Sequence, residues 1–376
     1  MLSHTNPSVA HRLRYLFRPN GADTHRDLLS HGFRRGLESS APAGLRDRKP
    51  VSVLLIAVCF VFASVARAQT AEPATYAVII TGLGGDADFG KMIDGWGKDL
   101  HSALEKSGLN KEHLYWLAAT KQEGVYAVSQ ADQIRNVLNM LAGRMKPEDV
   151  FQLFLIGHGS YDDYDYRFNI PGPDLTEAQF AEMLSRVPCE RQAVVNMTSA
   201  SGASLAALRK KGRIVITSTS AGQERNFSVF ARYFVAALEE PAADADKNES
   251  VSALEAFRYA AREVTRYYES QKRLATEHPL IEDRGEGEGV REATPDNGKG
   301  LLASAMTLRR MGNQETALDT SEARQLRASK RQNEEAIEQL KYRKASMDSE
   351  QYMQQLEMLL VNLAKVQQQL DNLEKK

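Results

Sequence analysis

The sequence predicts an α/β fold: a mostly parallel sheet covered by helices on both faces, with an α-helical hairpin or short coiled coil appended at the carboxyl end. Three observations carry this. Short apolar runs alternate with longer segments of helical periodicity between residues 76 and 274, the pattern of strand–helix–strand units. The runs end in small or polar pairs, which a parallel sheet would gather on one edge. Near the end of the chain Tyr352, Leu359, Val366 and Leu373 recur every seven residues, as do Leu356, Leu363 and Leu370, the apolar seam of packed helices.

Taken in order, residues 76–81 form an apolar strand ending in Thr81-Gly82. A helix over 89–107, a strand over 113–118 and a helix over 129–142 follow, the last with Ile134, Val137, Leu138 and Leu141 on one face. The third strand is 150–156, within Phe151-Gln-Leu-Phe-Leu-Ile-Gly-His-Gly-Ser160. A loop rich in Tyr and Asp leads to a helix over 176–186, a fourth strand over 193–197 and a fifth over 214–218. Helices over 227–238 and 252–274 complete the unit. Residues 282–316 read as a linker, Gly-rich and acidic at first. Residues 317–376 read as the helical hairpin, with a turn at 345–349 and Asp348 or Ser349 capping its second helix.

The start of the chain reads differently. Arg46-Asp-Arg-Lys49 precedes the apolar run 51–65 and then Ala66-Arg67-Ala68. A basic segment, an apolar core and an A-x-A site make a signal peptide over 45–68, cleaved after Ala68 to leave a periplasmic or secreted protein. The run is short for a membrane span, so no span is expected in the mature form. Residues 1–44 show no periodicity, consistent with translation beginning near Leu45. After cleavage only Cys189 remains, which rules out an intrachain disulfide.

The whole chain is 42% hydrophobic and 26% charged, with a formal net charge of -1. There is no broad basic field for nucleic acid. The expected partner is a peptide or protein, with self-association or docking through the terminal helices as a further expectation.

Chemistry collects at the strand ends. His158 stands between Gly157 and Gly159 after the third strand, and Ser199 follows the fourth in Val194-Val-Asn-Met-Thr-Ser-Ala-Ser-Gly202. Adjacent parallel strands would bring a base and a hydroxyl within hydrogen-bond range. An apolar strand ending in His-Gly, followed by one ending near Ser-Gly, resembles the caspase-like peptidases that include legumain, gingipain and metacaspases. The resemblance covers residues 76–274 and implies a three-layer caspase-like sandwich. It implies His158 as general acid/base and Gly159 as an oxyanion donor, and it places Ser199 where the family has its nucleophilic Cys. A thiol is readily held as thiolate by a neighbouring imidazolium, whereas a serine needs a strong, oriented base. The expectation is therefore a peptide-binding or regulatory module with its nucleophile replaced. An active hydrolase using Ser199 and His158 is the alternative, and an envelope interaction protein acting through its helical tail is a third.

Around this centre, Asp162 and Asp163 in Tyr161-Asp-Asp-Tyr-Asp-Tyr166 could offer carboxylates to a basic peptide side chain, although such charge runs are commonly solvated. Glu224 and Arg225 follow the fifth strand as further rim candidates. Gly82-Leu-Gly-Gly-Asp86 lacks the Lys-Ser/Thr of a phosphate loop and reads as a rim loop. His278 reads as a surface or packing histidine. No cofactor is required. Calcium is the one metal suggested: from Asp244, oxygen-bearing residues fall at positions 1, 3, 5, 9 and 12 of an EF-hand-like loop. The candidate ligands are Asp244, Asp246, Asn248, Ser250 and Glu255. Glu249 stands where that loop wants Gly, and Ser252-x-x-Glu255 also reads as a capping box.

Overall fold

Alternation of side chains across the strands creates the layers. Ala77 and Ile79 join one buried cluster while Val78 and Ile80 join another, because successive residues of a strand face opposite sides. The computed structural model describes residues 73–294, 297–310 and 320–374, apart from the side chains of residues 324 and 374. The expected leader and the stretch before it lie outside the described residues.

In chain order the elements begin with β1 (Thr75–Thr81), α1 (Ala87–Lys106), β2 (Leu114–Ala118), β3 (Ala127–Val128), α2 (Ala131–Arg144) and β4 (Val150–Gly157). Three short strands follow, β5 (Gly159–Tyr161), β6 (Tyr166–Phe168) and β7 (Leu175–Thr176), then α3 (Glu177–Ser185) and β8 (Arg191–Thr198). Next come α4 (Leu205–Leu208), β9 (Arg213–Thr217), α5 (Phe230–Ala237), β10 (Ser250–Ser252), α6 (Ala253–Ser270) and β11 (Leu280–Glu282). The last elements are α7 (Leu301–Ala305), β12 (Thr307–Arg310), α8 (Ser321–Tyr342) and α9 (Ser349–Glu374).

The main sheet has the order β11-β9-β8-β4-β1-β2-β3. Its neighbours pair in parallel except β11, which runs antiparallel to β9. Residues of α1, α5 and α6, among them Leu100, Phe234 and Phe257, pack on one face. Residues of α2, α3 and α4, among them Leu138, Phe180 and Leu205, pack on the other. The expected three-layer α/β class with a mostly parallel sheet is therefore the architecture seen. The helices start on local signals. Asp86 caps α1 by accepting from the Asp88 and Phe89 N–H groups, and Thr176 with Gln179 and Ser252 with Glu255 form capping boxes.

The stretch read as a linker is packed structure where it is described. Glu282 and Lys299 form a buried ion pair. The Asp283 carboxylate accepts from the N–H groups of Gly300, Leu302 and Ala303, at the start of α7. Of the acidic residues in this segment, Glu282 neutralises a buried lysine and Asp283 satisfies a helix terminus. β12 then pairs antiparallel with β10.

Helices α8 and α9 pack along one another as a hairpin. Asp348 caps α9 through the Glu350 and Gln351 N–H groups at 2.9 and 3.1 Å. The heptad residues Tyr352, Leu356, Leu359, Leu363, Val366, Leu370 and Leu373 are all withdrawn from solvent, whereas Met353, Met358, Leu360 and Val361 are exposed. Arg191–Glu335 at 3.0 Å and Arg310–Glu334 at 3.3 Å tie α8 to the sheet unit. Among the described residues no helix is long and apolar enough to cross a membrane.

One attachment of α8 is sensitive to pH. Lys341 lies 3.2 Å from Asp246 and 2.9 Å from Glu338. Burial, followed by a hydrogen bond with Asp246, pushes Glu338 up to about 7. A carboxyl raised on folding contributes stability that is complete below its unfolded value and is lost as pH rises through its folded value. The protection of α8 amides, relative to their intrinsic exchange at each pH, should therefore fall between pH 4.5 and about 7, and Glu338→Gln should flatten that dependence.

Candidate active site

The register of two strands brings the candidate residues together. β4 and β8 pair in parallel up to Gly157 opposite Thr198, so His158 and Ser199 are the next residue of each. His158 Nδ1 lies 3.0 Å from Ser199 Oγ. Ser199 is fully buried and His158 half-buried. The His158 ring meets Phe89 and Phe227 edge to face, at centroid separations of 6.0 and 5.5 Å, and those two rings stack on each other at 4.0 Å.

Burial lowers the His158 pKa below the ordinary imidazole value, opposed by a hydrogen bond to the Gly84 backbone and by the Asp86 charge. The neutral ring is thus the favoured form near pH 7. His158 Nδ1 and Ser199 Oγ share a hydrogen bond whose donor is set by the imidazole tautomer. Asp86 acts on the ring by charge alone, and its carboxylate caps α1.

Gly159 is required by close approach. A Cβ there would lie 2.4 Å from the Ser199 carbonyl oxygen and 2.5 Å from the Tyr166 ring. Its amide also faces a useful way. β5 is the edge of a small antiparallel sheet ordered β5-β6-β7. Asn169 N donates to His158 O and Asp162 N to Asp165 O. Alternation along an antiparallel pair then bonds Ser160 to Arg167 and turns the polar groups of Gly159 and Tyr161 away from β6.

Ser199 is followed by an elbow. Ala200 has φ 56, a left-handed conformation costing about 1–2 kcal/mol outside glycine. Its N–H donates to the Glu224 carbonyl at 2.8 Å. The Glu224 carboxylate accepts from Ser220 N and Oγ and from His278 N, and it holds His278 Nδ1 at 2.6 Å. Glu224 is thereby engaged in fixing the Ser199 loop, and His278, read from sequence as a packing residue, is its partner. Ser201 accepts from Ser218 N and Thr219 N, each at 3.1 Å, binding the β8 loop to the β9 loop.

The acidic rim is internally paired. Arg167 contacts Asp162 and Asp165, and Arg225 lies 3.1 Å from Asp163. The Asp165 N–H, then Arg167, hold the exposed Asp162 down at about 2. Asp162 and Asp165 are held by groups within the β5–β6 hairpin, and Asp163 by Arg225 from across the fold. Also unforeseen is a buried network beneath Ser199: Tyr166 Oη lies 2.6 Å from Thr198 Oγ1, which donates to Asn196.

Of the candidate calcium ligands, the carboxylates of Asp244, Asp246 and Glu255 lie within 4.8 Å of one another. Glu249 takes φ 61, so the turn forms without Gly. The oxygens are nevertheless occupied within the loop. Asp244 accepts from Asn248 N and Glu249 N, Glu255 caps Ser252, and Asn248 accepts from Ser250 N and Oγ. Lys341 supplies positive charge at Asp246. Cys189 lies before β8, at the opposite sheet edge from His158, buried beside Met145, and burial pushes its thiol up to about 12.

No family model and no curated protein matches the chain. Among solved structures it is similar to the Drosophila initiator caspase Dronc, with 11% identity over 59% of this chain and 88% of that chain and a TM-score of 0.38. It is similar also to drICE, with 10% identity over 58% and 90% of the two chains and a TM-score of 0.37.

Two measurements check this site. In NMR titration His158 should ionise below the free-imidazole value of about 6.5, and Phe227→Ala, by admitting water to the ring, should raise it. Gly159→Ala should destabilise the chain by about 1–3 kcal/mol in urea unfolding, the cost of overpacking a filled site.

Proposed function

We propose that this chain is a caspase-like peptidase-domain protein that binds an extended peptide along β5, with Ser199 serving as a buried hydrogen-bond partner of His158 instead of a nucleophile. The observation that carries the reading is β5 as the edge strand of its small sheet, beside a serine with no exposed surface. Strand addition to such an edge is a common mode of peptide recognition, main-chain groups giving affinity and side-chain pockets specificity. A fully buried hydroxyl cannot meet a substrate carbonyl without the loop moving. Among the described residues no carboxylate is hydrogen-bonded to the His158 ring to stabilise an imidazolium. The leader expected at residues 45–68 supports action in the periplasm or outside the cell.

A second reading is favoured by the 3.0 Å separation of His158 Nδ1 and Ser199 Oγ. That is the separation expected of a base and its nucleophile, and the family resemblance would make the Gly159 N–H an oxyanion donor. In this reading His158 takes the Ser199 proton, the alkoxide attacks the peptide carbonyl, and the proton passes to the leaving amine.

The readings separate in one set of experiments. Display selection on the mature chain should enrich extended peptides whose binding survives Ser199→Ala and is lost in Tyr161→Pro, which removes an outward N–H. A fluorophosphonate probe should label neither wild type nor Ser199→Ala, and Ser199→Cys should gain hydrolysis of the selected peptides. Labelling of wild type that disappears in Ser199→Ala would establish the hydrolase instead.

A further inference from the structure

A cavity of about 620 Å³ lies at the amino-terminal edge of the parallel strands. Its wall includes Thr75, Val150 and Arg191, the first residues of β1, β4 and β8, whereas His158 and Ser199 follow the last residues of β4 and β8. The two places are thus separated by the length of β4, roughly 23 Å at 3.3 Å per residue. The opposite wall is β12 and the inner face of α8. This volume is within the range of small-molecule sites, which combine apolar walls with a few placed polar groups.

The lining has that character and one sign of charge. Leu104, Leu109, Val150, Met306 and Leu308 supply apolar surface. Arg191, Arg309, Arg310 and Arg331 reach it with His113, against the single carboxylate of Glu335. Arg191 pairs with that Glu335, and Arg310 with Glu334. Arg309 has no carboxylate partner among the described residues: it donates through Nη1 to the Leu238 carbonyl, and its Nε is buried without a partner. Gln152, 1% exposed on β4, also lines the cavity, and its Oε1 has no partner either. Buried polar groups are nearly always hydrogen-bonded. The lining thus sets four arginines and a histidine against one carboxylate on an apolar wall, and among the arginines Arg309 donates to a neutral carbonyl.

We propose that this cavity binds a small organic anion, a molecule with one carboxylate, sulfonate or phosphate group on an apolar body. Its charge is met by Arg309 and its apolar part by the leucine and methionine wall. Because β12 and α8 form one side and the strand starts the other, the bound anion joins the hairpin to the sheet unit.

The probe is 8-anilinonaphthalene-1-sulfonate, an anion of this class whose fluorescence rises in apolar sites, titrated into the mature chain. The expected result is saturable binding of one probe per chain, displaced by octanoate and not by octylammonium. Arg309→Met should weaken binding about tenfold or more, the scale of a lost charged hydrogen bond. Ala328→Trp, which fills the cavity from α8, should abolish it. Leu360→Ser, on the exposed face of α9, should leave it unchanged. The proposal is overturned if binding is not saturable, if octylammonium displaces the probe as well as octanoate, or if Leu360→Ser and not Ala328→Trp removes binding. The competition arm uses wild type alone and so decides the matter even if a cavity variant fails to fold.

Discussion

The structure depends on the parallel pairing of β4 with β8. These strands run side by side from Val150 opposite Arg191 to Gly157 opposite Thr198. Eight consecutive pairs fix the register, and a slip of one residue would exchange the side chains that meet the two helical layers. The same register delivers His158 and Ser199 to each other. Chemistry at the strand ends is therefore set by the hydrophobic pattern of the strands, not by any attraction between imidazole and hydroxyl. Gly159 completes the arrangement by letting the β5 backbone lie against the Ser199 carbonyl.

The fold was legible where burial acts on a regular period. Strands such as 150–156 are continuous apolar runs, as expected where both faces are covered, and the helices between them show one apolar face. The heptad residues of α9 are those the helix withdraws from solvent. Less legible were β5, β6 and β7, each of two or three residues, too short for alternation to register. Residues 282–310 were misread for a different reason. Composition reports how polar a segment is and not where its polar groups point, and Glu282, Asp283 and Lys299 point inward.

The site divides in the same way. His158 and Ser199 were visible because each follows an apolar run by a fixed count. The roles of Glu224 and Asp163 were not visible, because each is decided by a partner that only the fold supplies, His278 and Arg225, and that of Asp162 depends on a hairpin too short to read from the sequence. An acidic residue near a cleft has the same appearance in sequence whether it awaits a ligand or holds a loop. Electrostatics at the centre is modest. The His158 ring is kept neutral by loss of water, with two phenylalanines and a backbone carbonyl around it, and this suits both a base and a passive hydrogen-bond acceptor.

The antiparallel strand β11 bears on how this protein could have been assembled and how it can be divided. It covers the outer edge of β9, and its Ile281 bonds in turn to Val290. Its last residue, Glu282, is held by Lys299, whose carbonyl accepts the Tyr342 hydroxyl of α8. The sheet margin, the 282–310 segment and the hairpin are thus linked in series. A chain cut at residue 281 would lose the clasp of β11 and tend to present β9 as a bare edge, a template for intermolecular pairing. The helical tail is in this sense the selvedge of the sheet, and gain or loss of the tail in evolution would entail remaking that margin.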